Sequence, residues 1–219
     1  MGALGIVRQS GGSVAADLLQ MSGNYRYTDG NIFVTRGLIL TGTLDMGGSG
    51  ALLSEGNTVV DFSQGTVLND GNARFVSGSR SLVIVPAGWS ASRFGGGWAP
   101  GNLVHTAGTP LVVEANHGFE GWGSITDHVC CAGTIDAGGI AAVTESKGLN
   151  LANGVNLSAG ASVNLRTGWY TFYDYGGAHV GGLLTVHDPN SGMSGGSLTA
   201  ESEALPNPEE NPLQTADFW

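Results

Sequence analysis

The residues best suited to chemistry in this chain are two adjacent cysteines, Cys130 and Cys131, which follow His128 in the stretch ITDHVCCAG. A zinc site uses four ligands, but only Asp127 stands nearby, and alternation along a strand would turn it away from His128 and Cys130. Adjacent cysteines cannot easily reach relaxed disulfide geometry, and no helix follows to lower a thiol pKa. The pattern therefore predicts no metal site and no redox pair. We expect one buried thiol, packed as a small hydrophobe, and one outward thiol that could cross-link two chains.

Carboxylates are the second group that could do chemistry, because polysaccharide lyases and hydrolases place two or three Asp or Glu side chains on one face. If coils of the chain have about 20–24 residues, three pairs could stack: Glu114 with Asp136, Asp127 with Lys147, and Asp45 with Asp61. None of them lies in a dense acidic cluster, and most are flanked by Gly or small residues. The sequence therefore predicts solvated charges and no catalytic residue, with a carbohydrate-active lyase or hydrolase as the alternative.

Composition excludes several classes of protein. Glycine accounts for 38 of the 219 residues and charged residues for only 12%, yet 41% are hydrophobic, so we expect a folded chain but not an ordinary α/β enzyme. A net charge of −10 with eight basic residues disfavours nucleic acid as a partner. The chain contains no run of 18 apolar residues, so no membrane span is predicted. The histidines are dispersed and nucleotide-binding motifs are absent, so no cofactor is predicted.

Short alternating segments separated by glycine dominate the chain. From residue 149 they read LNLANG VNLSAG ASVNLRTG, in which Leu or Val alternates with Asn, Ser or Ala. Alternation places the apolar side chains on one face of each strand, and Gly or Asn-Gly supplies the corners. Only VAADLLQM (14–21) could form two helical turns. The pattern predicts an all-β fold, a single right-handed parallel β-helix, with a β-sandwich or jelly roll as the alternative.

Two stretches, RQSGGSVAA (8–16) and GTIDAGGIAAVTESKGLNLANGVNLSAGASVNL (133–165), carry a resemblance to known proteins. They resemble the Gly-rich β-helix repeats of bacterial surface and secreted proteins, including autotransporter-type passenger regions, and the similarity covers most of residues 8–200. The resemblance implies an extracellular or cell-surface solenoid with an adhesive or structural role. It transfers no catalytic residue, because Gly, Ser and Asn corners recur wherever such coils form.

Aromatic residues gather in two stretches. GWSASRFGGGW (88–98) is too rich in glycine for a strand and predicts a loop that leaves the solenoid. GWYTFYDYGG (168–177) has large rings on both faces of a strand, so both faces need cover. Trp169, Tyr173 and Tyr175 share one face and form a candidate contact platform for a protein neighbour or a sugar. Packing into the local core, with a loop over it, is the favoured interpretation of both stretches, and the contact platform is the alternative.

The composition changes sharply at residue 201. The segment ESEALPNPEENPLQTADFW (201–219) has no Gly, Lys or Arg and contains five acids. We therefore divide the chain into a β-solenoid domain (1–200) and an extended acidic Pro-rich C-terminal tail (201–219). A solvated terminus has no need of two final aromatics, so the tail is predicted to dock on a neighbouring copy through five candidate residues: Pro206, Pro208, Pro212, Phe218 and Trp219. The alternatives are a disordered acidic terminus and a tail that folds back over the aromatic strand at 169–175 of its own chain.

These features together predict a non-enzymatic structural protein whose copies join head to tail into a fibre or surface layer. No capping helix is evident at either end, and the sequence SGGS occurs both at 10–13 and at 194–197, so the first and last coils could share a cross-section. We expect an extracellular or cell-surface location, with any leader outside this numbering. The alternatives are a β-helix polysaccharide lyase or hydrolase, and an adhesin that binds a cell-surface glycan.

Overall fold

The computed structural model describes residues 5–47, 51–54, 56–136, 149–153, 155–158, 161–165, 171–173, 178–180, 183–186, 192–194 and 198–200. Every strand pair among these residues is parallel, and neighbouring strands come from successive coils of the chain. The fold is therefore a parallel β-solenoid, as the alternation predicts, and the β-sandwich and jelly roll are wrong. Its right-handed sense stays a prediction.

The described residues form two compact units, the first ending at Ala107 and the second beginning at Gly108. The strands of the first unit are β1 Ile6–Met21, β2 Asn24–Leu40, β3 Thr43–Asp45, β4 Ala51–Leu53, β5 Val59–Asp61, β6 Thr66–Leu68, β7 Arg74–Val76, β8 Leu82–Val85, β9 Gly97–Ala99 and β10 Leu103–Thr106. In this unit, β1 and β2 are long bent strands that each follow almost a whole coil. The next coil follows the same path in three pieces, because β2 pairs in turn with β3, β4 and β5. Two short 3₁₀ turns span Asp70–Asn72 and Ala91–Arg93.

The second unit repeats this plan with shorter strands. They are β11 Leu111–Val113, β12 Gly118–Glu120, β13 Gly123–Ile125, β14 Val129–Cys131, β15 Thr134–Asp136, β16 Leu149–Leu151, β17 Val155–Leu157, β18 Ser162–Leu165, β19 Thr171–Tyr173, β20 Ala178–Val180, β21 Leu183–Val186, β22 Gly192–Ser194 and β23 Leu198–Ala200. The longest sheet has the order β11-β14-β17-β20-β23, so every third strand stacks on the one before it. The division into domains 1–200 and 201–219 stays a prediction, since 201–219 lie outside the described residues.

The segment VAADLLQM forms part of β1 and is not helical. Its residues pair in parallel with the second half of β2, from Ile32 to Leu40. Tertiary pairing here overrides the helical propensity of Ala and Leu, which is a weak preference in a chain that offers a neighbouring strand. The two helical turns that this segment alone could have formed are therefore replaced by strand.

The core of the first unit consists of inward side chains stacked from coil to coil. Alternate residues of β2 are buried, as the period of a strand requires. In-register pairing extends each buried position into a column. The three columns are Tyr25, Leu44 and Val67; Ile32, Leu52, Phe75 and Trp98; and Leu38, Val60 and Val83.

Glycine corners allow the coils to stack closely. A Cβ atom added to Gly78 would collide with the carbonyl oxygen of Gly56, and one added to Gly101 would collide with the carbonyl oxygen of Gly78. The Gly78 amide also donates to that Gly56 oxygen at 3.1 Å, so the close approach is part of the coil-to-coil bonding. The same arrangement recurs at another corner, in the order Gly5, Gly23 and Gly42. The high glycine content therefore has a packing cause.

We expect Gly78→Ala to lower the free energy of unfolding by about 1–3 kcal/mol, because the added methyl group forces the Gly56 backbone to shift. Urea denaturation monitored by circular dichroism measures the change. The matched control is Gly71→Ala, whose added Cβ has nothing within 4 Å and should change stability by less than about 0.5 kcal/mol. Equal losses in the two variants would show that corner packing does not constrain this fold.

Candidate functional site

The free edge of β1 is the most distinctive surface of the first unit. Among the described strands β1 pairs only with β2, so one edge of this 16-residue strand lacks a strand partner. Ile6 and Val7 at its start have 61% and 53% of their surface exposed. An open parallel edge bearing apolar side chains is a template for the addition of another strand.

An apolar cavity of about 460 Å³ opens beside this edge, lined by Val7, Leu19, Met21 and Tyr25. Val7 pairs in register with Tyr25, and Tyr25 pairs with Leu44. Tyr25 and Leu44 are buried, so Val7 begins a column of the core while remaining half exposed itself. The free edge of β1 and this cavity form the open end of the unit, where a further coil would complete the packing.

Buried hydrogen bonds hold the first coil against the second. The Tyr25 hydroxyl donates to Gln9 Oε1 at 2.7 Å, and Gln9 Nε2 donates to the Asn31 carbonyl oxygen at 3.1 Å. Thr28 Oγ1 donates to the Gln9 carbonyl oxygen at 3.0 Å. Burial raises the pKa of Tyr25 above its ordinary value of 10.0, so the hydroxyl remains a donor at neutral pH. These bonds hold β1 in place on β2.

A polar groove runs along the outer face of the same coils. Arg8, Arg26, Asp45 and Leu68 are aligned in register on β1, β2, β3 and β6. Two adjoining cavities, of about 220 and 590 Å³, share Arg26 and Asp45 in their walls. Asp45 Oδ2 lies 3.9 Å from Arg26 Nε, and Asp45 Oδ1 accepts a 2.7 Å hydrogen bond from Asn69 Nδ2. The polar groove, defined by Arg8, Arg26, Asp45 and Asn69, begins at the open end.

A side chain covers the last strand of the same column. Arg93 Nε donates to Asp70 Oδ2 at 2.9 Å, and Arg93 Nη2 donates to the Val67 carbonyl oxygen of β6 at 2.5 Å. The Arg93 guanidinium also lies 4.7 Å from the centroid of the Trp89 ring. Trp89 in turn stacks on Phe62 with ring centroids 5.5 Å apart. The β6 edge is therefore closed by residues 89–93, whereas the β1 edge is open.

The aromatic stretch 88–98 packs on the core of the first unit. Phe94 is buried, and its ring lies 5.3 Å from that of Trp98. Gly97–Ala99 form β9, where Trp98 pairs in register with Phe75, so the expectation of a loop leaving the solenoid is wrong. Local core packing, the favoured interpretation, describes this stretch. The sequence did not predict this strand because three successive glycines lead into it, and glycine is usually depleted from strand interiors.

Cys130 and Cys131 face opposite ways on β14, as the alternation predicts. Cys131 is buried with 1% of its surface exposed, and Cys130 is partly exposed. Both thiols are free. Burial raises the pKa of Cys131 to about 11, although a hydrogen bond to the Gly133 backbone opposes the shift. The cross-link through the outward thiol stays a prediction.

His128 and Asp127, which precede the cysteines, each make a hydrogen-bond contact with the backbone of another residue. His128 Nδ1 lies 2.8 Å from the Asn153 carbonyl oxygen, and Asp127 Oδ2 accepts a 3.0 Å hydrogen bond from the Gly108 amide. Both side chains therefore contact neighbouring backbone. Within the described residues, no group of three or more His, Cys, Asp or Glu side chains is placed to hold a metal ion.

We expect a thiol reagent at about pH 8 to modify one cysteine per folded chain, because the raised pKa and the burial of Cys131 keep it protonated and inaccessible. Mass spectrometry after iodoacetamide treatment should find the label on Cys130 in the folded protein and on both cysteines after unfolding. Cys130→Ser should abolish labelling of the folded chain, and Cys131→Ser should leave it unchanged. Equal labelling rates for the two thiols would contradict the burial of Cys131.

The register of strand pairing brings together a pair of carboxylates that differs from the pairs expected from the sequence. Glu120, and not Glu114, aligns with Asp136 on neighbouring strands. Asp45 and Asp61 lie on β3 and β5, which pair with different parts of β2, so they are not stacked either. The expectation assumed coils of about 20–24 residues, but Glu120 and Asp136 are only 16 positions apart. The pair could have been predicted from the similar alternation of the strands GFE (118–120) and TID (134–136).

Several predicted sites lie outside the described residues and stay predictions. Tyr173 is at the end of β19, whose backbone pairs with β22, but its side chain is not described. The other predicted site residues outside the described part of the chain are Lys147, Trp169, Tyr175, Pro206, Pro208, Pro212, Phe218 and Trp219.

Comparison of the chain with known protein families, curated proteins and solved structures finds no match. The stacked parallel sheets agree with the β-helix architecture that the resemblance implies. Of the helices in the described part of the chain, none has the length and apolar character needed to cross a bilayer.

Proposed function

We propose that this chain is a non-enzymatic structural subunit whose copies join end to end through the open end of the first unit. The observation that carries the proposal is the free edge of β1, where Ile6 and Val7 are more than half exposed and Val7 lines a mainly apolar cavity. Addition of a parallel strand would satisfy the N–H and C=O groups along this edge. Covering the exposed parts of the two side chains would contribute roughly 1–2 kcal/mol each.

A second copy of this chain is the partner that fits the edge. Val7 begins a column that continues through Tyr25, Leu44 and Val67, so its partner must supply a parallel coil with an apolar residue at the matching position. The last described strand, β23, pairs only with β20 among the described strands and therefore offers a comparable edge. A contact between unlike ends generates a fibre unless its rotation closes a ring.

An extracellular or cell-surface location belongs to the same proposal. Its support is the Gly-rich, weakly charged composition and the resemblance to surface β-helix repeats. A carbohydrate-active enzyme has less support, because one in-register pair of carboxylates occurs among the described strands, Glu120 with Asp136, and Asp136 is only 1% exposed. A polymeric substrate could not reach that carboxylate without displacing the residues that cover it.

We expect Val7→Lys to weaken association at least tenfold, because strand addition would bury an uncompensated ammonium group in the joint. Sedimentation velocity over a range of protein concentrations measures the effect, and electron microscopy shows whether fibres remain. The matched control is Thr66→Lys, which adds the same charge at an exposed position of β6, three coils further along the ladder that begins at Ile6. Undiminished association of Val7→Lys, or an unmodified chain that remains monomeric, would contradict the proposal.

A further inference from the structure

We propose that the polar groove binds the acidic start of the C-terminal tail, Glu201 and Glu203, of a second copy. This inference rests on the proposed end-to-end association and identifies a contact that would accompany it. The groove begins at the open end, and the tail follows directly after β23, which ends at Ala200. Joining the two ends would therefore bring the first acids of one copy to the groove of the next.

Two arginines on adjacent coils give the groove its chemistry. Arg8 and Arg26 are paired directly in register on the outer face, in a chain with only eight basic residues and a net charge of −10. Like charges placed opposite each other on neighbouring strands destabilise the pair. An anionic group bound between the two guanidinium groups would reverse that repulsion and accept charge-assisted hydrogen bonds from both.

The acids of the described groove do not neutralise both arginines. The Arg26 side chain is 58% exposed, and its Nε lies 3.9 Å from Asp45 Oδ2, while the other oxygen of Asp45 is bonded to Asn69. Arg8 is exposed and makes no ion pair with a described residue. A local excess of positive charge therefore lies at the edge of a strongly acidic protein.

The tail offers matching charge at a matching spacing. It contains five acids and no basic residue, and the first two acids, Glu201 and Glu203, occupy alternate positions. In an extended segment alternate side chains point the same way and are about 7 Å apart along the segment, whereas Arg8 and Arg26 are ~4.8 Å apart across the coils. The segment must therefore turn across the coils after Ala200 for each acid to face one arginine. Arginine and glutamate side chains are long enough to absorb the difference. Glu201 and Glu203 are also one and three residues beyond Ala200, within about 10 Å of the joint.

The experiment exchanges the charges in the full chain and measures association by sedimentation velocity. We expect R8E/R26E alone and E201R/E203R alone each to weaken association at least tenfold. Combining the four substitutions in one chain should restore association to within threefold of the unmodified protein. This restoration cannot arise from unfolding, and circular dichroism checks that each variant keeps its strand content.

Two controls change charge away from the proposed contact. E209R/E210R makes the same change later in the tail, and Arg74→Glu changes an exposed arginine whose in-register neighbours are Ala51 and Gly97. Both should change association less than threefold. The inference is overturned if the combined chain associates no better than R8E/R26E, which includes the case of a groove that takes some other carboxylate. If Val7→Lys abolishes association while the exchanged charges have no effect, the end-to-end proposal stands and the tail contact is wrong.

Discussion

The close approach of backbones at the glycine corners is the constraint on which the rest of this structure depends. Gly56, Gly78 and Gly101 lie one above another with no room for a Cβ atom between them. Coils can therefore stack at strand spacing even where the chain turns, and the inward residues of each coil fall directly over those of the previous one. A chain with ordinary side chains at these corners would hold its coils apart and lose the hydrogen bonds between them.

Stacking of this kind leaves a problem at each end of a unit, because the last coil has no neighbour to cover it. The first unit closes the β6 edge with Arg93, which bonds to Asp70 and to the Val67 carbonyl oxygen beneath a stacked Trp89. No comparable side chain covers β1 within the described residues. β1 and β6, two of the four described edge strands of this sheet, therefore differ in chemistry, and that difference gives their ladder a direction.

Alternation and glycine spacing were enough to predict the fold class, since both follow from the period of a strand and the geometry of a corner. They also predicted the opposite orientation of Cys130 and Cys131, which depends on neighbouring residues alone. The partners across coils were not predictable, because coil length varies and a shift of one coil changes every pairing. Asp136 therefore aligns with Glu120 instead of the expected Glu114. The Arg8–Arg26 pair was not predicted, because its members are 18 positions apart in the sequence.

Because each strand pairs only with strands of the preceding and following coils, the stability of a unit is close to a sum of nearest-neighbour terms. A perturbation at one coil should then reach its neighbours strongly and more distant coils weakly. Such a chain frays by whole coils from an exposed edge instead of melting in one step, and amide hydrogen exchange would slow progressively from β1 inward. The Tyr25–Gln9–Asn31 bonds lie across the first of these boundaries, so they determine how readily the outermost coil peels away.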